Sequence, residues 1–123
     1  MLFDELSRRV IGCALEVHKN LGPGLLESSY EQCLAYELSK ERINFELQKN
    51  LPLKYKTIQL DCGYRVDCIV EKQLILEFKT VDSLLPIHEA QLLTYLRLTQ
   101  ISTGLLINFN VIKLKQGIKR MVL

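Results

Sequence analysis

The stretch from Tyr64 to Lys79 leaves the chain few ways to fold. Two apolar runs, Tyr64-Arg65-Val66-Asp67-Cys68-Ile69-Val70 and Leu74-Ile75-Leu76-Glu77-Phe78-Lys79, flank one polar turn, Glu71-Lys72-Gln73. Runs of this kind bounded by a short polar turn predict an antiparallel β-hairpin with a loop of about three residues. With that loop, Val70 faces Leu74, and the same register sets Asp67 directly opposite Glu77, with Cβ atoms about 4.5–5.5 Å apart. Because side chains alternate along a strand, Glu77 and Lys79 project from one face and Leu76 and Phe78 from the other.

Two carboxylates facing each other inside an apolar hairpin are in conflict, since opposed like charges destabilise a strand pair and acids are rarely buried without a partner. A divalent cation resolves that conflict. Magnesium is usually held by one or two carboxylates, with water and substrate phosphate filling its other positions. Lys79 alongside can orient a water or neutralise developing phosphate charge, so the arrangement suits metal-assisted phosphodiester hydrolysis. The same spacing also fits a solvated sheet face on which Arg65, Asp67, Glu77 and Lys79 form salt bridges. A glycosidase pair would need one carboxyl kept protonated; Lys79 favours the ionised forms and the chain has no tryptophan, so that use is set aside.

Upstream, Leu6, Val10, Ala14, Val17 and Leu21 recur at helical intervals, predicting a helix of about five turns that Gly22-Pro23-Gly24 stops. Leu26, Tyr30, Cys33, Leu34 and Leu38, with Ile43 beyond them, form the apolar stripe of a second helix, and Glu27 and Glu31 sit in its early turns where the helix dipole favours acids. Short strands are expected at Phe45–Leu47, Leu51–Tyr55 and Ile58–Leu60, with Pro52 marking an edge. Pro86 opens a third helix that ends near Thr99. Gly104–Phe109 and Ile118–Val122 read as closing strands. The order helix, helix, strands, helix, strand is α/β or α+β around one mixed sheet.

With 123 residues, 48% of them apolar, the chain can form one core without metal or disulfide staples. A net charge of +2 is far from that of a protein that coats nucleic acid, so any such contact is local. No apolar run reaches membrane-spanning length, and Met1-Leu2-Phe3-Asp4-Glu5 has acids where a signal peptide would carry lysines, so neither membrane nor secretion is expected. Cys13, Cys33, Cys62 and Cys68 include no Cys-x-x-Cys pair and read as free thiols of a cytoplasmic protein. His18 and His88 have no ligand-spaced partner and read as structural, while Lys113, Lys115, Lys119 and Arg120 form a modest basic strip.

Asp67 followed ten residues later by Glu77-x-Lys79 resembles the core hairpin of the PD-(D/E)XK nuclease superfamily, with Val66 in place of the proline. Gln91-x-x-x-Tyr95 on the third helix is similar to an element of the RecB-like and Cas4-like branch. Gly24-Leu25-Leu26-Glu27-Ser28-Ser29-Tyr30 resembles the namesake motif of the small GxxExxY family, and that likeness extends from Val17 to Arg120. The resemblance implies a single α/β domain over residues 1–123 with a restriction-endonuclease-like fold, a mixed central sheet flanked by helices in the order ααβββαβ. It implies a nuclease in which Asp67, Glu77, the Phe78 carbonyl and Glu27 hold Mg2+ (or Mn2+), Lys79 serves the attacking water, and Gln91 and Tyr95 position the site. The partner it implies is nucleic acid, DNA before RNA. A nuclease-fold module without activity, binding nucleic acid or protein, is the alternative. A domain this small also leaves room for a homodimer that clamps a duplex, although no particular residue argues for one.

Overall fold

A computed structural model describes residues 4–123. The leader expectation rests partly on Met1, Leu2 and Phe3, which lie outside the described residues. Helix α1 (Glu5–Leu21) begins where the Asp4 carboxylate accepts the Ser7 N–H at 2.7 Å, and it ends at Gly22, whose φ of 69° is the left-handed conformation a helix stop requires. Helix α2 (Glu27–Lys40) turns back against it. Leu26 is 74% exposed and caps α2 rather than joining its apolar stripe; Ile43 is buried but lies past the helix end.

Next come β1 (Phe45–Asn50), β2 (Leu53–Tyr55), β3 (Ile58–Leu60), β4 (Arg65–Val70) and β5 (Leu74–Lys79). Helix α3 (Pro86–Thr99) then crosses over to β6 (Thr103–Asn108), and a 3-10 turn at Leu114–Gly117 leads into β7 (Ile118–Val122). The main sheet runs β1-β4-β5-β6-β7, with β5 and β6 parallel and every other pair antiparallel. This is a mixed five-stranded α/β fold. The observed order is longer than ααβββαβ because β2 and β3 form a separate hairpin inserted between β1 and β4, and because β7 closes the sheet. No described helix is long and apolar enough to cross a membrane.

Strand alternation divides the core between two faces. Leu74, Leu76 and Phe78 pack with Leu105 and Ile107 beneath α1 and α2, while Ile75 and Leu106 pack beneath Leu92, Tyr95 and Leu96 of α3. Each such side chain, fully buried, contributes about 1.5–3 kcal/mol. The expected turn is present, with Val70 opposite Leu74 and Cys68 opposite Leu76.

Two glycines make the packing testable. A Cβ on buried Gly117 would run into the Asn108 carbonyl, which cannot move aside as a side chain can. Gly12, on the exposed side of α1, has open space around it. In urea denaturation Gly117→Ala should therefore cost about 1–3 kcal/mol. Gly12→Ala should add about 0.5–1 kcal/mol through helix propensity.

Candidate active site

The β4–β5 ladder is regular up to Cys68 and Leu76, and there it stops. At the next position the two acids take over the pairing. The Asp67 N–H donates to Glu77 Oε2 at 2.8 Å, and the Phe78 N–H donates to Asp67 Oδ2 at 2.9 Å. Each carboxylate thus accepts a backbone donor from the opposite strand. The pairing of β1 with β4 is interrupted at the same level. Leu47 pairs with Cys68 and Lys49 with Val66, but Gln48 between them adopts φ 52° and donates to Glu31 Oε1 at 2.7 Å and to Asp67 Oδ1 at 3.4 Å.

Electrostatics follows from this burial. Glu77 is 3% exposed, and burial, then the Asp67 charge, pushes its carboxyl up to about 8 despite the Asp67 N–H and Lys79. Burial also raises Asp67, against the pull of the Phe78 N–H, Gln48 and Lys79. Glu31 is raised first by desolvation, and so is Glu27, exposed overall at the start of α2, with Asp67 adding to both. Lys79 opposes the shifts of Glu77, Asp67 and Glu27 without cancelling them, and among the described residues it makes no ion pair within 4.0 Å. Lys79 favours the ionised forms, as its place beside Glu77 implies, but desolvation of Glu77 is the larger effect.

Local packing fixes the turn that precedes Glu27. The Tyr30 hydroxyl donates to the Gly22 carbonyl at 2.6 Å and accepts the Leu25 N–H at 3.2 Å, tying down the α1–α2 turn in which Gly24 has φ 96°. The Tyr30 ring stacks on Phe109 with centroids 4.4 Å apart, and Phe109 in turn meets Phe78 at 6.1 Å. The glycine and tyrosine flanking Glu27 thus hold the loop that precedes it. At the other end, buried Asn108 accepts the Val81 N–H at 3.1 Å and donates to the Val81 carbonyl at 2.9 Å, while the Phe109 N–H donates to the Lys79 carbonyl at 2.9 Å. The end of β5 that carries Lys79 is therefore fixed.

Asp67, Glu77 and the Phe78 peptide are brought together by hydrogen bonds, and Lys79 lies on the same strand face as Glu77, whereas Glu27 makes no hydrogen bond with them and is linked to them through the influence of the Asp67 charge on its carboxyl. Tyr95 is buried on α3, and burial followed by the charges of Glu77 and Asp67 raises its hydroxyl. Gln91, one turn earlier, is exposed and lines a cavity together with Tyr95 and Tyr64. His18 Nε2 donates to the Val111 carbonyl at 2.8 Å, and His88 Nδ1 accepts the Leu85 N–H at 3.0 Å, so both are structural. Lys119 of the basic strip pairs with Glu89 at 2.9 Å. Glu31 and Gln48 were not foreseen. Glu31 follows Glu27 by one helical turn, a spacing that puts both on one face, whereas the left-handed Gln48 has no sequence signal.

The donor chemistry fits a hard divalent cation. Asp67 Oδ2 and Glu77 Oε2 are engaged by backbone N–H groups; Glu77 Oε1 accepts no hydrogen bond among the described residues, Asp67 Oδ1 has only the long 3.4 Å contact from Gln48, and no protein cation pairs with either acid within 4.0 Å. Among the described residues no group of three His, Cys, Asp or Glu side chains is close enough to hold an ion unaided. Magnesium is commonly held by one or two carboxylates with water completing its shell, so Asp67 and Glu77 are the two side chains that would hold it.

A family model described as PD-(D/E)XK nuclease superfamily matches residues 4–121. No curated protein and no solved structure matches the chain.

Glu77 yields a pH test. It loses its proton near 4.5 in the unfolded chain and near 8 in the fold, so across that window the fold holds a proton the unfolded chain lacks and stability falls as pH rises. Without metal, Tm should drop from about pH 5 to about pH 8, and the drop should shrink in Glu77→Gln. An equal slope in wild type and Glu77→Gln contradicts the assignment.

Proposed function

Because the chain belongs to the PD-(D/E)XK nuclease superfamily, we propose that it is a divalent-metal-dependent nuclease that hydrolyses phosphodiester bonds in DNA or RNA. Superfamily members generally use divalent metals, and magnesium, with manganese as substitute, is the ion proposed here. The observation that supports the reading most is the reciprocal pair of hydrogen bonds, Asp67 N–H to Glu77 and Phe78 N–H to Asp67, which holds two carboxyls side by side with Glu77 buried and Asp67 half-buried.

In this reading Asp67, Glu77 and the Phe78 carbonyl hold the ion, and Glu27 reaches it directly or through water. Bound there, the metal supplies Lewis-acid polarisation of a phosphoryl oxygen and of water. Lys79, on the same strand face as Glu77, orients the attacking water and neutralises charge developing on the phosphate. Tyr95 and Gln91, which line one cavity with Tyr64, position the substrate. The motif from Gly24 to Tyr30 and the Gln91–Tyr95 pair support the GxxExxY family and the RecB-like and Cas4-like branch as its place within the superfamily. Residues 1–123 act as one nuclease domain in the cytoplasm, where four free thiols stay reduced. A second copy would complete a duplex clamp.

Cleavage of a labelled oligonucleotide by Lys79→Ala should fall at least about 100-fold with the melting transition unchanged. Cleavage at the wild-type rate removes Lys79 from the mechanism. By calorimetry, Mg2+ or Mn2+ binding should vanish in Asp67→Asn, which keeps an oxygen for the Phe78 N–H but loses the charge. A wild-type protein indifferent to both metals would favour the non-catalytic module.

A further inference from the structure

The β2–β3 hairpin pairs with no strand of the main sheet, yet its base is anchored beside the acids. The Leu51 N–H donates to the Tyr64 carbonyl at 2.9 Å, closing the insert, and Tyr64 precedes Asp67 by three residues, about 10 Å along an extended chain. Between this insert and α3 lies a cavity of about 210 Å³ lined by Leu53, Tyr64, Gln91, Thr94, Tyr95 and Leu98. Its walls are apolar or aromatic except at one edge. There the Thr94 hydroxyl is occupied, donating to the Ala90 carbonyl at 3.0 Å and accepting from Arg97 at 3.1 Å, whereas the Gln91 amide has no hydrogen-bond partner among the described residues. That amide offers both donors and an acceptor, the complement of a nucleobase edge.

The insert is also aromatic and basic on its outside. Tyr64 is 43% exposed and Tyr55 58% exposed, and Lys54, Lys56 and Arg65 outnumber Asp61, the one acid from Leu51 to Arg65. Aromatic platforms set among cations are how proteins hold nucleic acid whose bases are unstacked, because every base has a π-face and the cations follow the backbone. Bases within a duplex are already stacked and do not present that face.

We infer that the cleft between the β2–β3 hairpin and α3 takes one unpaired nucleobase, stacked on Tyr64 and hydrogen-bonded at its edge by Gln91. The substrate is then single-stranded nucleic acid, or a duplex end whose strands have separated. This rests on the nuclease reading and narrows its substrate: a base held at Tyr64 leaves a neighbouring phosphate within reach of Asp67 and Glu77.

The test is fluorescence anisotropy with a short labelled single-stranded DNA and a blunt duplex of the same sequence, both in EDTA so that no cleavage occurs. Tyr64→Ala should weaken single-strand binding at least about five-fold and leave duplex binding unchanged. Tyr64→Leu, which keeps apolar volume without a π-face, should behave as the alanine variant does, and Tyr64→Phe should bind as wild type. Equal losses on both probes, or none on the single strand, overturn the inference. The two readings fail separately. Tyr64-dependent binding without metal-dependent cleavage sustains the cleft and removes the nuclease; cleavage with Tyr64-independent binding does the reverse.

Discussion

The structure turns on an exchange of hydrogen bonds at one level of the β4–β5 hairpin, where the Asp67 and Glu77 carboxylates each accept a peptide N–H from the opposite strand. The exchange keeps both backbone donors satisfied and fixes the two acids together. Its cost is electrostatic. Two like charges about 4 Å apart repel by about 4 kcal/mol at an effective dielectric constant of 20, before the loss of hydration is counted. A neighbouring lysine that forms no close ion pair is worth at most about 1 kcal/mol, so Lys79 does not offset that repulsion. Either a proton on Glu77 or a divalent ion between the acids must do so, and these two remedies compete for the same site.

The surrounding architecture reads as support for this arrangement. Tyr30, Phe109 and Phe78 form an aromatic series that joins the turn before α2 to the strand bearing Glu77, while Asn108 secures the chain just beyond Lys79. The Gly24, Glu27 and Tyr30 positions then separate by role. Gly24 permits the turn, Tyr30 closes it through Gly22 and Leu25, and Glu27 opens the helix that follows, its carboxyl raised by desolvation and by the Asp67 charge. The parallel pairing of β5 and β6, with Lys79 opposite Asn108, brings the two ends of this support together.

Much of this was legible in the sequence where one local signal sufficed. Glu71-Lys72-Gln73 as the turn sets Val70 against Leu74, Gly22 stops α1, and Pro86 starts α3. What could not be read depends on burial or on a backbone break. Strand periodicity implies a continuous ladder past Cys68, and nothing in it announces that side-chain oxygens replace the next rung. Gln48 reaches Asp67 and Glu31 only because its φ is positive. Lys79 lies beside Glu77 in sequence, so it reads as the dominant influence, whereas the larger effect is desolvation by core residues distant along the chain. Gln91 and Tyr95 share a helix face and both line the cavity beside Tyr64, but only Tyr95 is buried, a difference their spacing does not show.

The most direct test of the central claim is a crystal structure of the protein soaked in Mn2+ near pH 8, with data collected at the manganese absorption edge. The account predicts an anomalous peak between the Asp67 and Glu77 carboxylates. A structure in which that position holds no manganese, with both carboxyls ordered as described, would contradict it.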